Sequence, residues 1–178
     1  MKRLLMTTIL CCFFSVPAFS QANQPRRFEI NWNLISYNRI GSADFAGGTL
    51  GLAVRATEHV SIVAEVAVHS EFNFFDNQNL TTYTFGPRYS VKRGNRLTLF
   101  TEARAGGAHV TSTAIFGSGS PTSGVNGFAF GGGGGVDLGI RPWVAWRAVQ
   151  GDYTFARIGE TNKSGFRIGT GFVFRFGE

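Results

Sequence analysis

Cysteine is almost absent from this chain of 178 residues, and its two copies, Cys11 and Cys12, stand side by side near the start. A disulfide framework or a cysteine-built metal site is therefore excluded for everything downstream. Charged side chains are also scarce, at 16%, where a soluble domain carries about a quarter. Some other chemistry must cover the surface. Long apolar runs are missing too: the longest, Leu4 to Phe14, falls well short of the about 20 residues a membrane helix needs. Helical membrane anchoring of the chain is thereby excluded. Mean hydropathy is only +0.02, which is compatible with a membrane only if strands alternate polar and apolar residues.

What is present begins with an address. Lys2 and Arg3 are followed by the apolar run and by Ala18-Phe19-Ser20, a small-x-small cleavage pattern, so residues 1–20 read as a signal peptide. Leu10 precedes Cys11, where lipidation would require a small residue. Residues 21–178 are expected to form one domain. Without Lys2 and Arg3, the 17 Lys and Arg become 15 against 11 Asp and Glu, a net charge of +4. The arginines are scattered along the chain instead of clustered, which argues against nucleic acid as a partner.

From Arg27 onward the pattern has period 2. Phe28, Ile30, Trp32 and Leu34 alternate with Glu29, Asn31 and Asn33. Leu50, Leu52 and Val54 alternate with Thr49, Gly51, Ala53 and Arg55, and Val60, Ile62, Ala64, Val66 and Val68 with Ser61, Glu65 and Ala67. In the fourth run Tyr83, Phe85 and Tyr89 oppose Thr84, Gly86 and Arg88. In the fifth, Leu97, Leu99 and Ala103 oppose Phe100, Glu102 and Arg104, which puts Phe100 on the polar side. Phe128, Phe130, Val136, Leu138 and Ile140 then oppose Gly131, Gly133, Gly135 and Asp137. Val144 and Trp146 oppose Arg147, but Asp152 has the other parity, so a β-bulge is expected near Val149 to Gly151. Last, Phe166, Ile168, Phe172, Phe174 and Phe176 alternate with Arg167 and Arg175.

Eight strands joined by alternating connections follow. Short turns are expected at Ala56 to Glu58, Val91 to Arg96 and Arg141 to Pro142. Longer polar connections are expected near Asn38 to Asp44, Ser70 to Asn79, Thr111 to Asn126 and Arg157 to Ser164. Up-and-down barrels of outer membranes show this asymmetry, with short turns and both chain ends on the periplasmic side. A soluble, lipocalin-like carrier with its apolar face inward is the competing barrel. The aromatic belt, the signal peptide and the girdle positions Tyr37, Tyr89, Trp143 and Tyr153 favour lipid outside. The lumen would then hold Glu29, Arg55, Glu65, Arg88, Glu102, Arg104, Asp137, Arg147, Asp152, Arg167 and Arg175 as a paired charge network. The expected fold is thus all-β, a single antiparallel transmembrane barrel of about eight strands.

Three segments carry a family resemblance: Leu97-Thr-Leu-Phe-Thr-Glu-Ala-Arg-Ala-Gly106, Gly132-Gly-Gly-Gly-Val-Asp-Leu138 and Gly165-Phe-Arg-Ile-Gly-Thr-Gly-Phe-Val-Phe-Arg-Phe176. Through them the chain resembles the OmpA/OmpX-type outer-membrane β-barrel domain. The resemblance implies location in the outer membrane, contact with its lipid and lipopolysaccharide, and assembly by the barrel-assembly machinery. Phe172, Phe174 and Phe176 resemble the C-terminal assembly signal, although Gly177 and Glu178 follow where relatives often end on the aromatic. With no peptidoglycan-binding domain after the barrel, cell-wall anchoring is not implied.

Candidate chemistry is sparse. Gly131 to Gly135 lacks the following helix and Lys of a phosphate-binding loop. It is read instead as room for lumen arginines and for wall curvature. His59-Val60-Ser61 with Glu58 or Glu65 resembles the His/Ser/acid grouping of outer-membrane lipid A deacylases, but the group lies at the turn end and points inward, away from the outer leaflet. His69 and His109 are placed at the outer rim as solvated residues and not as metal ligands. Phe72, Phe74 and Phe75 give the Ser70 to Asn79 connection an apolar character that suits packing at the rim or a contact surface. The expected role is non-enzymatic and cofactor-free: envelope integrity, or contact with an unidentified extracellular partner through the loops. A narrow porin-like channel is the alternative, and a lipid-modifying enzyme the third.

Overall fold

The computed structural model describes residues 27–41, 43–71, 76–114, 122–159 and 161–177. The expected signal peptide, 1–20, lies outside the described residues, as do Phe72, Phe74 and Phe75 and positions 115–121. The described chain forms eight strands: β1 Phe28–Ile40, β2 Ala43–Arg55, β3 Val60–Glu71, β4 Asp76–Arg93, β5 Leu97–Ala114, β6 Thr122–Arg141, β7 Val144–Ile158 and β8 Thr161–Phe176. Each pairs antiparallel with the next, and β1 pairs with β8 from Phe28↔Phe176 to Ile40↔Gly165, closing the barrel. Closure leaves no unpaired strand edge, a requirement for backbone in lipid.

The period-2 pattern places two chemistries on two surfaces. Trp32, Leu50, Ile62, Tyr83, Phe85, Phe130, Trp146, Tyr153 and Phe166 are exposed on the outer wall. Arg147, Asp152, Glu65, Arg88, Glu102 and Arg104 are buried inside. A soluble carrier would need the reverse, so the lipocalin-like alternative is overturned: this lumen is polar and the face turned outward is apolar. The expected barrel of eight strands is the one observed.

Strand extends into all four stretches expected as longer connections, including 70–71, 76–79, 111–114 and 122–126. Within 38–44 and 157–164, expected as longer polar loops, residues 38–40, 43–44, 157–158 and 161–164 are strand, with turns at Gly41 and Gly159. Gly41 has φ 64° and Gly159 φ 60°, a left-handed backbone that glycine adopts without strain. Their polarity reflects strands that outrun the membrane. Arg39 and Asp44 face outward 3.6 Å apart, and the Tyr37 hydroxyl donates to Asp44 at 2.5 Å. β4, β5 and β6, of 18, 18 and 20 residues, exceed the about 9–11 that span a bilayer.

Two bulges flank β8. One lies in β1 between Asn33 and Ser36, and the other in β7 between Arg147 and Gln150. The β7 bulge falls one or two residues earlier than expected, and it turns Asp152 inward and Tyr153 outward. Its loosened backbone is held from the lipid side. Trp146 Nε1 donates to Thr170 Oγ1 at 3.1 Å, and that hydroxyl donates to the Arg147 carbonyl at 2.8 Å.

Part of the glycine run makes room for the neighbouring strand and for Phe100. A Cβ on Gly133 would meet the Gly151 carbonyl at 2.1 Å and Asp152 Oδ1 at 2.6 Å, and one on Gly135 the Val149 carbonyl at 2.4 Å and the Phe100 ring at 2.7 Å. Close β6–β7 approach and the inward Phe100 therefore require Gly133 and Gly135, whereas a Cβ on Gly131 or Gly132 would meet only ordinary contacts.

Candidate functional site

The inner faces of all eight strands converge on one structure, the filled lumen. Toward the loop end Arg104 (β5) and Arg167 (β8) alternate with Glu65 (β3) and Asp152 (β7). Arg104 pairs with Glu65 and with Asp152 at 3.0 Å, and Arg167 pairs with Glu65 at 2.7 Å and with Asp152 at 2.5 Å. Toward the turn end Arg88 (β4) binds Glu29 (β1) and Glu102 (β5), both at 2.7 Å. Arg147 (β7) holds Asp137 (β6) at 2.8 Å, and Arg175 (β8) holds Glu29 at 3.1 Å and Asp137 at 3.6 Å. Five arginines thus meet five carboxylates across the barrel, and the paired charge cancels. Such pairs survive burial because each carboxylate accepts from more than one donor.

Two side chains complete this network that charge patterning does not single out. Gln150 donates through Nε2 to Glu102 at 2.9 Å and to Asp152 at 3.0 Å. Its Oε1 accepts from Arg147 at 2.9 Å and from Asn33 at 3.0 Å. It links the two layers, and it sits at the bulge, where parity stops assigning a face. The guanidinium carbons of Arg88 and Arg147 lie over the Phe100 ring, 4.7 Å and 4.4 Å from its centre. These contacts give an aromatic on the polar face an electrostatic role.

Of the eleven residues expected to form the charge network, Arg55 alone stands outside the ion pairs among the described residues. Its Nη1 donates to the Glu58 carbonyl at 3.2 Å. Beyond the Arg104/Arg167 layer an apolar cluster of Ile40, Phe45, Leu80, Ala108 and Ala129 packs inside the lumen. Between this cluster and the charge layer is a cavity of about 30 Å³, roughly the space one water takes in the liquid. Asn31, Thr49 and His69 Nδ1 have buried polar atoms without a protein partner, so the β1–β3 side is where single waters are needed. At the turn end the lumen opens into a polar vestibule of about 220 Å³.

Of the candidate enzyme residues, Glu58, His59 and Ser61 border the turn-end vestibule together, while among the described residues no three His, Cys, Asp or Glu side chains group to hold a metal ion. The His59 ring stacks on Tyr89 at 5.8 Å, while Glu65 is held by Arg104 and Arg167. His69 corrects the expectation of a solvated rim residue: it is buried in the lumen, with Nε2 2.9 Å from Ser36 Oγ. The β1 bulge turns Ser36 inward to meet it. His109 lies on the outer face, with Nδ1 2.8 Å from Asn126 Oδ1.

A closed eight-stranded barrel with an aromatic outer wall and an ion-paired lumen has the architecture of the small outer-membrane β-barrel proteins. Solved structures bear this out at the level of fold. Neisserial surface protein A (NspA) superposes with a TM-score of 0.66 at 11% identity, over 84% of this chain and 97% of that one. The attachment invasion locus protein Ail of Yersinia pestis gives 0.56 at 14%, over 85% and 100%. The N-terminal barrel domain of OprF from Pseudomonas aeruginosa gives 0.55 at 18%, over 85% and 100%. No family model and no curated protein sequence matches the chain.

Proposed function

We propose that this protein is a non-enzymatic resident of the outer membrane whose barrel is a plugged, self-neutralising anchor, and whose work is done at its ends: envelope integrity, or contact with an extracellular partner. The observation that carries this reading is the filled lumen. Two layers of ion pairs bridged by Gln150 lie across any axial path, with the apolar cluster around Leu80 and Phe45 beyond them. An ion would have to displace buried pairs, each of which leaves an uncompensated charge when broken. The narrow-channel alternative is therefore disfavoured.

Residues 1–20 would direct export, and Phe172, Phe174 and Phe176, on the outer face of the closing strand β8, would serve as the signal to the assembly machinery. The exposed aromatic wall suits the lipid of the membrane and its lipopolysaccharide. The turn end, with both termini, is assigned to the periplasm, and the extended walls of β4 to β6 to the outside. Fold likeness to Ail, an attachment invasion locus protein also solved with the heparin analogue sucrose octasulfate, supports a surface-contact role over a purely structural one.

Planar-bilayer recording of the refolded protein tests the proposal. A steady baseline without resolved openings is expected at moderate voltage, alongside outer-membrane fractionation of the expressed precursor. Reproducible single-channel steps that persist after purification would overturn it.

A further inference from the structure

Among the described residues the filled lumen opens at the turn end into a vestibule that the anchoring role leaves unused. Its floor is the inner charge layer and its wall the inward side chains of β2 to β5, with Glu58 and His59 of the β2–β3 turn at its edge. The carboxylates there are already engaged: Glu29 by Arg88 and Arg175, Asp137 by Arg147 and Arg175. Two cations are not. Among the described residues Arg55 donates to the Glu58 backbone carbonyl and, although Glu29 and Glu58 are near enough to attract it, closes no ion pair with either, and Lys92 makes no ion pair. Arg88, buried in the floor, keeps one guanidinium nitrogen, Nη2, without a hydrogen-bond partner. Hydroxyls of Ser61, Ser90 and Thr98 line the same space. Glu58 is the remaining acid, exposed at the mouth.

Surplus positive charge, guanidinium donors and hydroxyls around about 220 Å³ make a cradle for an oxyanion. Several water volumes of room admit a tetrahedral group together with a small substituent. Guanidinium forks suit phosphate oxygens, and the ammonium adds a point charge. The rim extends the field: Arg93, Arg96 and Arg141 lie at the turns of this end and Arg27 precedes β1, with Glu58 as the one acid beside them among the described residues. A mouth lined by one sign of charge concentrates its counter-ion.

We propose that this vestibule is a binding site for a phosphate group, held by Arg55 and Lys92 with the hydroxyls of Ser90 and Thr98. The phosphate has two sources: a phospholipid headgroup of the adjoining leaflet, or a soluble phosphate ester. Neither source requires the barrel to conduct or the loops to bind a partner.

The test uses the mature barrel refolded in a nonionic detergent. Inorganic phosphate, glycerol 3-phosphate and short-chain phosphatidylglycerol are titrated in separate arms, with short-chain phosphatidylcholine as a zwitterionic comparison. Binding is read by calorimetry and by amide shifts of Ser61, Ser90 and Thr98. The variant is Arg55→Gln with Lys92→Gln, which leaves every lumen ion pair in place, and its fold is checked by gel migration without boiling. Arg157→Gln with Lys163→Gln, at the opposite end, is the control. Saturable binding that weakens at least about tenfold in the first variant, the scale expected for losing charged hydrogen bonds, and not in the second supports the site. Saturation by the soluble phosphates then identifies a soluble ester as ligand, and saturation by phosphatidylglycerol alone identifies the leaflet. No saturable binding in any phosphate arm, or binding indifferent to Arg55→Gln/Lys92→Gln, overturns it.

Discussion

At the scale of single residues, the lumen depends on groups that cannot be removed one at a time. Asp152 accepts from Arg104, Arg167 and Gln150, so Asp152→Asn leaves two buried guanidiniums short of an anion. The expected loss is about 3–5 kcal/mol, measured by urea unfolding of the barrel in lipid vesicles. Arg157→Ala, exposed at the loop end, should stay within about 0.5 kcal/mol. Phe100→Leu removes the ring over which two guanidiniums lie and is expected to cost about 2 kcal/mol or more in the same assay. Parity alone puts Glu65, Arg104 and Phe100 on the inner face, because a strand has only two sides. It does not single out Gln150, since a bulge resets the count at the position where that residue stands.

Among elements, the bulges and hairpins set the geometry. Both bulges face β8 at Gly169 to Gly171, opposite the lumen positions occupied by Asn33, Arg147 and Gln150. Thr170→Val should remove the hydroxyl that links Trp146 to the Arg147 carbonyl and lower stability by about 1 kcal/mol in urea unfolding, without altering the barrel's migration on gels. The hairpins at Gly41 and Gly159 were not legible as such, because polar residues at a strand's end look the same whether they form a loop or a strand standing in water. The β1 bulge was equally hidden: Leu34 and Ile35 are both apolar, so no charge on the wrong face announces it.

For the molecule as a whole, the decisive property is inversion. A closed barrel held by a continuous ladder of backbone bonds should resist dodecyl sulfate at room temperature and run faster than the boiled chain. Equal migration of the two samples would contradict closure in detergent. Replacing Phe45 and Leu80 together by Ala thins the apolar cluster, yet the Arg104/Arg167 layer still fills the section. Planar-bilayer recording should therefore show no openings in Phe45→Ala/Leu80→Ala.

Alternation of apolar and polar residues determined the strand count and which face meets lipid, because a one-residue slip would carry arginines such as Arg104 into hydrocarbon at about 2–4 kcal/mol each. Which arginine meets which carboxylate was decided only by closure. Glu29 and Arg175, 146 positions apart, become neighbours when β1 pairs with β8, and the stagger of the strands sets every height in the lumen. The apolar cluster, the burial of His69 against Ser36 and the unpaired cations of the vestibule likewise belong to the tertiary structure. Each depends on how far along the barrel axis a side chain sits, and a period of two fixes its face but not its height.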